Sequence, residues 1–341
     1  MLRVLVVATS KYTHGGITAV LKQYENSSMW QRYHCVWIGT HRDGYLLRKV
    51  WYFIWAMIRY ICLLPFYDIV HIHFSLAISA KRKYPFFRLA KLLGKGTIIH
   101  LHCGSQIDEN WSPVYQKMFE RCDFGIVLSE GLKATVEKFI GKNDKIRVVY
   151  NPCPSIDSRV SFEKKNYILF SGTLSKGKGY QDLIYAFAKV YDKHKGWKVV
   201  LAGNGEVEHA RALSSSLGIS ECVMLLGWVD GNMKHKVFSE SQALCLPSYA
   251  EGFPMAVLDA WAYGLPVLAT PVGGLIDVAK DFENMLVFEP GDVDTLSKKL
   301  DLLMSNTSLR QQLAEESLRL SAGQFNLGTI TEQIGEIYCQ V

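Results

Sequence analysis

The sequence predicts an α/β chain of two domains, each built on a parallel sheet, and three observations carry that expectation: length, alternation and a restart. At 341 residues the chain exceeds the usual size of one core, and it is long enough for two that each bury a sizeable apolar surface. Short β-branched runs at 3–7, 34–38, 69–73, 97–101, 124–128 and 147–150 alternate with longer segments of helical period, the pattern of parallel βαβ units. The alternation begins again at 167–170 and continues through 198–201, 223–226, 244–246 and 266–269. Between the two series, residues 151–165 hold Pro152, Pro154 and a mix of serines and charges, which reads as a linker. The expected domains are therefore 1–155 and 156–320. Beyond a loop at 321–326, Ile330, Ile334, Ile337 and Tyr338 fall at helical spacing, so 321–341 is expected to end the chain on an amphipathic helix.

Composition agrees with a packed enzyme. The chain is 49% apolar and 21% charged, without low-complexity tracts. Its eight cysteines include no C-x-x-C pair, so neither a zinc site nor a disulfide framework is expected. Residues 1–7 lack the charged start and cleavage site of a signal peptide, and the expected compartment is the cytoplasm.

The net charge of +6 is unevenly spread. Residues 44–107 carry nine bases and the single acid Asp68, so this stretch holds +8 and the remainder −2. Residues 50–65 are apolar and aromatic, interrupted by Arg59 and closed by Pro65, and they fall short of the roughly 20 residues that span a bilayer. Two readings stand. The segment lies in a membrane interface, with Arg48, Lys49 and the bases of 81–95 drawn to anionic lipid, or it is a buried core helix beside a solvated basic one. Nucleic-acid binding fits poorly, since the bases are interleaved with apolar helices and the rest is slightly acidic.

Chemistry concentrates in residues 247–266, PSYAEGFPMAVLDAWAYGLP. Glu251 follows a strand's carboxyl end, Gly252 lets a ligand approach the backbone, and amides of the following helical turn suit an anion. Asp259 lies about two helical turns beyond Glu251, where the two acids address different hydroxyls of one ligand or simply cap and face solvent. Lys178 stands in Gly177-Lys178-Gly179 before a helical pattern. Gly15-Gly16 precede a helix near Ile17, a second anion-binding turn. His100 and His102 share a face at the end of a strand, where parallel sheets bind ligands; His100, His71 and His73 read as hydrogen-bonded core residues. Asp292-Val293-Asp294 looks like a D-x-D metal motif, yet its place after Pro290-Gly291 suits helix capping, and no metal is assigned. Gly203-Asn204-Gly205 lacks the third glycine of a dinucleotide motif, because position 208 is Glu.

Glu251-Gly252-Phe253 followed by Asp259, Ala260 and Gly264-Leu265-Pro266 resembles the E-x7-E signature of glycosyltransferase family 4. The resemblance extends along the chain in ordered pieces: Gly15-Gly16, His102, Asn151-Pro152, Lys178-Gly179, Gly203-Asn204-Gly205, Gly227-Trp228-Val229, Pro247-Ser248, Gly273-Gly274 and Pro290-Gly291-Asp292. It implies the GT-B fold, two Rossmann-like domains facing a cleft, with the final helix packed back on the first domain. It also implies transfer of a hexosyl group, with retention, from a nucleotide-diphosphate sugar, without a metal or other cofactor. Glu251 then contacts the donor hexose, Asp259 the ribose in place of the family's second Glu, and Lys178 the diphosphate. Amides of Gly252, Phe253, Pro254-Met255 and Ala256 line the sugar or phosphates, with Gly15 and Gly16 opposite and His102 near the sugar. Thr173 holds the place of the family's diphosphate arginine, with Lys176 as a substitute, and Asn204 belongs to the nucleotide-sugar set. The apolar segment and the +8 stretch suggest that the acceptor is a glycan or a lipid-linked oligosaccharide of polysaccharide synthesis, reached peripherally on the inner face of the cell membrane. A sugar-nucleotide epimerase of the same fold and a non-catalytic membrane-surface scaffold remain as alternatives.

Overall fold

The computed structural model describes residues 2–13, 15–104, 107–108, 111–156 and 162–341. Part of the expected linker, 157–161, lies outside them. The chain divides into two compact units, Met1–Pro152 with Leu327–Val341, and Cys153–Asn326.

In the first unit six parallel strands, β1 (Val4–Ala8), β2 (Val36–Gly39), β3 (Ile69–Phe74), β4 (Gly96–Leu101), β5 (Phe124–Val127) and β6 (Ile146–Val148), lie in the order β2-β1-β3-β4-β5-β6. The order reverses between β1 and β3, the flavodoxin-like variant of the doubly wound sheet. Helices α1 (Gly16–Glu25) and α2 (Ser28–Arg32) follow β1, α3 (Leu46–Leu63) follows β2, α4 (Ala77–Leu92) follows β3, α5 (Pro113–Arg121) follows β4 and α6 (Glu130–Ile140) follows β5. Strand residues are buried on both faces, as crossover helices on both sides require.

In the second unit β7 (Tyr167–Ser171), β8 (Lys198–Ala202), β9 (Val223–Gly227), β10 (Ala243–Leu246), β11 (Val267–Ala269) and β12 (Leu286–Val287) lie in the order β12-β11-β10-β7-β8-β9. This is the Rossmann order, with its reversal between β7 and β10. Around it run α7 (Tyr180–Val190), α8 (Val207–Ser216), α9 (Gly231–Glu240), α10 (Met255–Ala262), α11 (Val293–Ser305) and α12 (Thr307–Ala322). Helix α12 continues to Ala322, so the loop expected at 321–326 is shorter, and β12 has too few residues to register as a strand pattern. The chain ends in α13 (Leu327–Gln340), which packs on α1 and α2 and buries Ile330, Ile334, Ile337 and Tyr338. Tyr33 donates its hydroxyl to the Gly335 carbonyl at 3.1 Å.

The apolar segment of the first unit is longer than its sequence pattern suggested. A 3-10 turn (Leu64–Phe66) extends α3, and the combined 21 residues, Leu46–Phe66, are long and apolar enough by length and composition to cross a membrane. A core-helix reading fails, because within α3 only Ala56 and Tyr60 are buried. Those two residues form a stripe that ties α3 to the sheet layer: the Tyr60 hydroxyl donates to the Phe86 carbonyl at 2.8 Å, and its ring meets Phe86 edge-on. On the other side Leu47, Trp51, Ile54, Trp55, Ile58 and Ile61 are exposed.

Candidate active site

The second unit gathers its chemistry at the carboxyl ends of β7 and β10, the neighbours between which the strand order reverses. Doubly wound sheets bind ligands at that point because the loops diverge there and leave a crevice. The loop after β7 carries Thr173, exposed, then Lys176, Gly177 and Lys178 in a 3-10 turn. Gly179 leads into α7 with φ 67°, and a Cβ there would fall 1.9 Å from the Pro247 carbonyl oxygen, so only glycine lets the two loops close. The contact brings Lys178 Nζ to 2.6 Å from Glu251 Oε1, an ion pair across the reversal. The Ser248 hydroxyl donates to the same Oε1 at 2.8 Å. Gly274 N–H donates to the Gly252 carbonyl at 2.6 Å, bracing the loop from β11.

Glu251 and Asp259 do not share a helix. Pro254 caps α10, which starts at Met255, so Glu251 stands in the loop and Asp259 alone is helical. Phe253 and Pro254 are buried, whereas Met255 and Ala256 form the half-exposed first turn, whose amides lack intrahelical carbonyl partners. Asp259 is buried and pairs with Lys234 of α9, Oδ2 to Nζ 2.7 Å. Burial pushes its carboxyl up, and Lys234 opposes the shift. Lys234 escaped sequence reasoning, because nothing in the local pattern 231–240 marks one lysine as a buried acid's partner. Asn204, after β8, accepts from Trp228 N–H at 2.9 Å through Oδ1, so its side chain shapes the loop after β9. The Asp292 carboxylate accepts from Thr295 N–H at 2.9 Å and caps α11, while Asp294 pairs with Lys189.

The first unit holds a second group. Gly15 and Gly16 stand at the start of α1 after β1, Gly15 with φ 147°. His102 follows β4, its N–H bonded to the Phe74 carbonyl at 2.8 Å. His71 and His73 on β3 and His100 and His102 on or after β4 point to one face, with His73 paired in register to His100. His102 and His100 stack at 4.0 Å between centroids, and His73 Nδ1 lies 2.9 Å from His102 Nε2. His71 Nδ1 meets the Tyr338 hydroxyl of α13 at 2.8 Å. Burial drives the His71 and His102 rings down to about 3, and His73 and His100 well below the ordinary value, so all four are neutral near pH 7. His71, His73 and His100 each bring one ring nitrogen within 4.8 Å of the others.

Residues 155–319, just under half of the chain, match the family model described as glycosyl transferases group 1. An uncharacterized glycosyltransferase of Methanocaldococcus jannaschii is 28% identical over 241 residues, covering 66% of this chain and 61% of that protein. The Campylobacter jejuni protein named GalNAc-alpha-(1->4)-GalNAc-alpha-(1->3)-diNAcBac-PP-undecaprenol alpha-1,4-N-acetyl-D-galactosaminyltransferase is 28% identical over 240 residues, 68% of this chain and 64% of its own length. The match thus spans less than two thirds of these relatives. Among solved structures, Anabaena HepE in complex with UDP superposes with TM-score 0.78 at 16% identity over 100% of both chains. The lipopolysaccharide outer core galactosyltransferase WaaB gives 0.70 at 21% identity, over 98% of this chain and 99% of that one. Two parallel doubly wound units in this order along the chain are the GT-B fold. The second unit is thus similar to the group 1 glycosyltransferases.

Proposed function

We propose that this protein transfers a hexosyl group, with retention of anomeric configuration, from a nucleoside-diphosphate sugar to a glycan or lipid-linked acceptor in polysaccharide assembly, working peripherally at an anionic membrane surface on the cytoplasmic side. The Lys178–Glu251 pair at the β7/β10 reversal carries the reading. Both groups stand where a sugar diphosphate needs them, a cation for the leaving phosphate and a carboxylate for the hexose hydroxyls.

Departure of the nucleoside diphosphate builds negative charge, and groups that bind it more tightly in the transition state lower the barrier. Lys178 Nζ and the first-turn amides of α10 supply that stabilisation, so the reaction needs no metal on this account. Lys178 exchanges its bond to Glu251 for one to phosphate when the donor arrives. Ser248 then keeps Glu251 in place, since its hydroxyl bonds the same oxygen. Glu251 orients the sugar, Asp259 the ribose, and a departing phosphate oxygen on the same face takes the acceptor hydroxyl's proton. Supporting analogies are the UDP and UDP-glucose complexes of HepE and the polyprenol-linked substrate in the C. jejuni relative's name.

The membrane part of the proposal stands on α3, whose exposed Trp51 and Trp55 sit among exposed aliphatic side chains with Arg48 and Lys49 at its start. Aromatic belts with flanking bases suit the headgroup boundary. The basic surface is thinner than the sequence count implied, because Lys83 is buried on Ser79 and Lys91 pairs with Asp123.

The decisive experiment is thermal melting against UDP, GDP, ADP and their hexose conjugates, since a ligand that binds only the folded state raises its apparent stability. One base standing out is expected. No shift with any of them, in folded protein, would remove the donor site.

A further inference from the structure

The resemblance to glycosyltransferase family 4 implies a site role for His102, and among the described residues its ring is not held by a carboxylate. Its Nε2 meets His73 Nδ1 at 2.9 Å, and one of those two nitrogens must carry the proton of the bond. We propose that His73 is a positioning residue that holds His102 in the tautomer protonated on Nδ1, so that His102 keeps a fixed N–H donor on that nitrogen.

The choice of tautomer follows from burial. If His102 donated from Nε2, neutral His73 would carry its one proton on its own Nε2. That atom is buried and has no hydrogen-bond partner among the described residues. A buried N–H without a partner is rarer and costlier than a bare ring nitrogen. With the proton on His73 Nδ1 the cost disappears: His73 donates, His102 Nε2 accepts, and the only proton left on His102 sits at Nδ1. The same pattern recurs one step down the strand, where His71 Nδ1 is engaged by Tyr338 and its Nε2 is buried without a partner.

The groups facing this array leave its charge state no freedom. They are His71 and His100 from the strands, Lys83 from α4, Tyr24 from α1 and Tyr338 from α13. None is an acid. Lys83 is itself fully buried and, among the described residues, bonds the Ser79 hydroxyl at 2.8 Å. A neutral, tautomer-locked imidazole is a poor proton shuttle and a good hydrogen-bond donor, and a fixed donor distinguishes a ligand that presents a lone pair to it.

The inference rests on the proposed role of His102, and the test separates the two. In full-length protein labelled with 15N-histidine, long-range proton–nitrogen correlation at neutral pH reads each tautomer directly. His102 should show a protonated Nδ1 and a bare Nε2 in the wild type, and should lose that preference in His73→Leu. Turnover of UDP-glucose or UDP-N-acetylhexosamines should then fall at least about tenfold in kcat with a smaller change in KM, as expected when a histidine is left in the wrong tautomer. His73→Asn, whose amide N–H substitutes for Nδ1–H, should recover most of it. A wild-type His102 protonated on Nε2 overturns the proposal, and so does folded His73→Leu protein that keeps both the Nδ1 proton and full kcat. Full turnover in His102→Phe would instead overturn the site role of His102, and the nitrogen shifts would still decide whether His73 sets its tautomer.

Discussion

Lys178 and Glu251 neutralise one another at 2.6 Å, and that pairing makes their substitutions informative. Glu251→Gln keeps the shape and the Ser248 bond but loses the charge proposed to orient the hexose; Lys178→Ala removes the cation proposed to face the leaving group. Each should lower kcat by about a hundredfold or more with the melting temperature nearly unchanged, in the range found when one transition-state stabiliser is removed; steady-state kinetics beside a melt would check it, and near-normal turnover would remove the assigned role. Lys234→Met leaves the buried Asp259 carboxylate without its partner. A buried charge stripped of its partner costs about 3–5 kcal/mol or takes up a proton, so the variant should melt lower, by more as pH rises through the raised Asp259 pKa, and should bind nucleotide more weakly, most of all below that pKa, where the carboxyl is protonated. Isothermal titration of UDP at several pH values measures it, and a pH-independent affinity would count against Asp259 as a ribose ligand. Glu251 and Lys178 were marked in sequence by glycine-bearing turns next to strand ends, and Asp259 by its spacing from Glu251 in the family signature. Lys234 and His73 were not, since their partners lie 25 and 29 positions away and a lysine or histidine alone is ordinary.

At the scale of elements, α3 shows where a hydrophobic pattern is ambiguous. Trp51, Trp55 and Ile58 read the same whether a helix is buried or faces lipid, and only the packing of Ala56 and Tyr60 against the sheet layer tells the sides apart. A Trp51→Glu/Trp55→Glu pair should leave folding and donor turnover with a soluble acceptor intact, yet abolish flotation with anionic liposomes; retained flotation would move the membrane contact elsewhere. The strands were readable by β-branched runs, but their order was not, because β1 pairs with both β2 and β3 through contacts no local pattern encodes. Asp123 at the start of β5 locks one such pairing. Burial raises its carboxyl, but hydrogen bonds from Thr97 N–H and Oγ1, both on β4, and from Lys91 outweigh burial, so the folded pKa falls below the ordinary value. Its contribution is therefore complete above the unfolded pKa and is lost as pH falls through the lower folded one. Asp123→Ala should destabilise at pH 7, and urea midpoints of mutant and wild type should converge as the pH drops below about 4.

For the whole molecule, the informative feature is that the chain ends in the unit where it began. After α12 closes the second unit, α13 returns to α1 and α2 and supplies Ile330, Ile334, Ile337 and Tyr338 to the first core. The helical spacing of those four residues was visible in sequence; the surface they cover was not, because an apolar stripe does not name its partner. The first unit therefore has a core that depends on residues 327–341, reached only after the whole second unit, whereas residues 153–326 hold a core of their own. Ile334, fully buried, tests this division. Truncating a buried isoleucine to alanine costs about 2–5 kcal/mol through lost transfer energy and the cavity left behind. Ile334→Ala should lower the stability of the first unit by that amount. On the proposed donor site, a nucleoside diphosphate such as UDP should raise the transition of the second unit alone. Calorimetric melts with and without UDP should then show the mutation and the ligand acting on different transitions. A single transition that both move equally would mean that the two cores unfold together, and α13 would then act as a clamp on the whole chain instead of a piece of one unit.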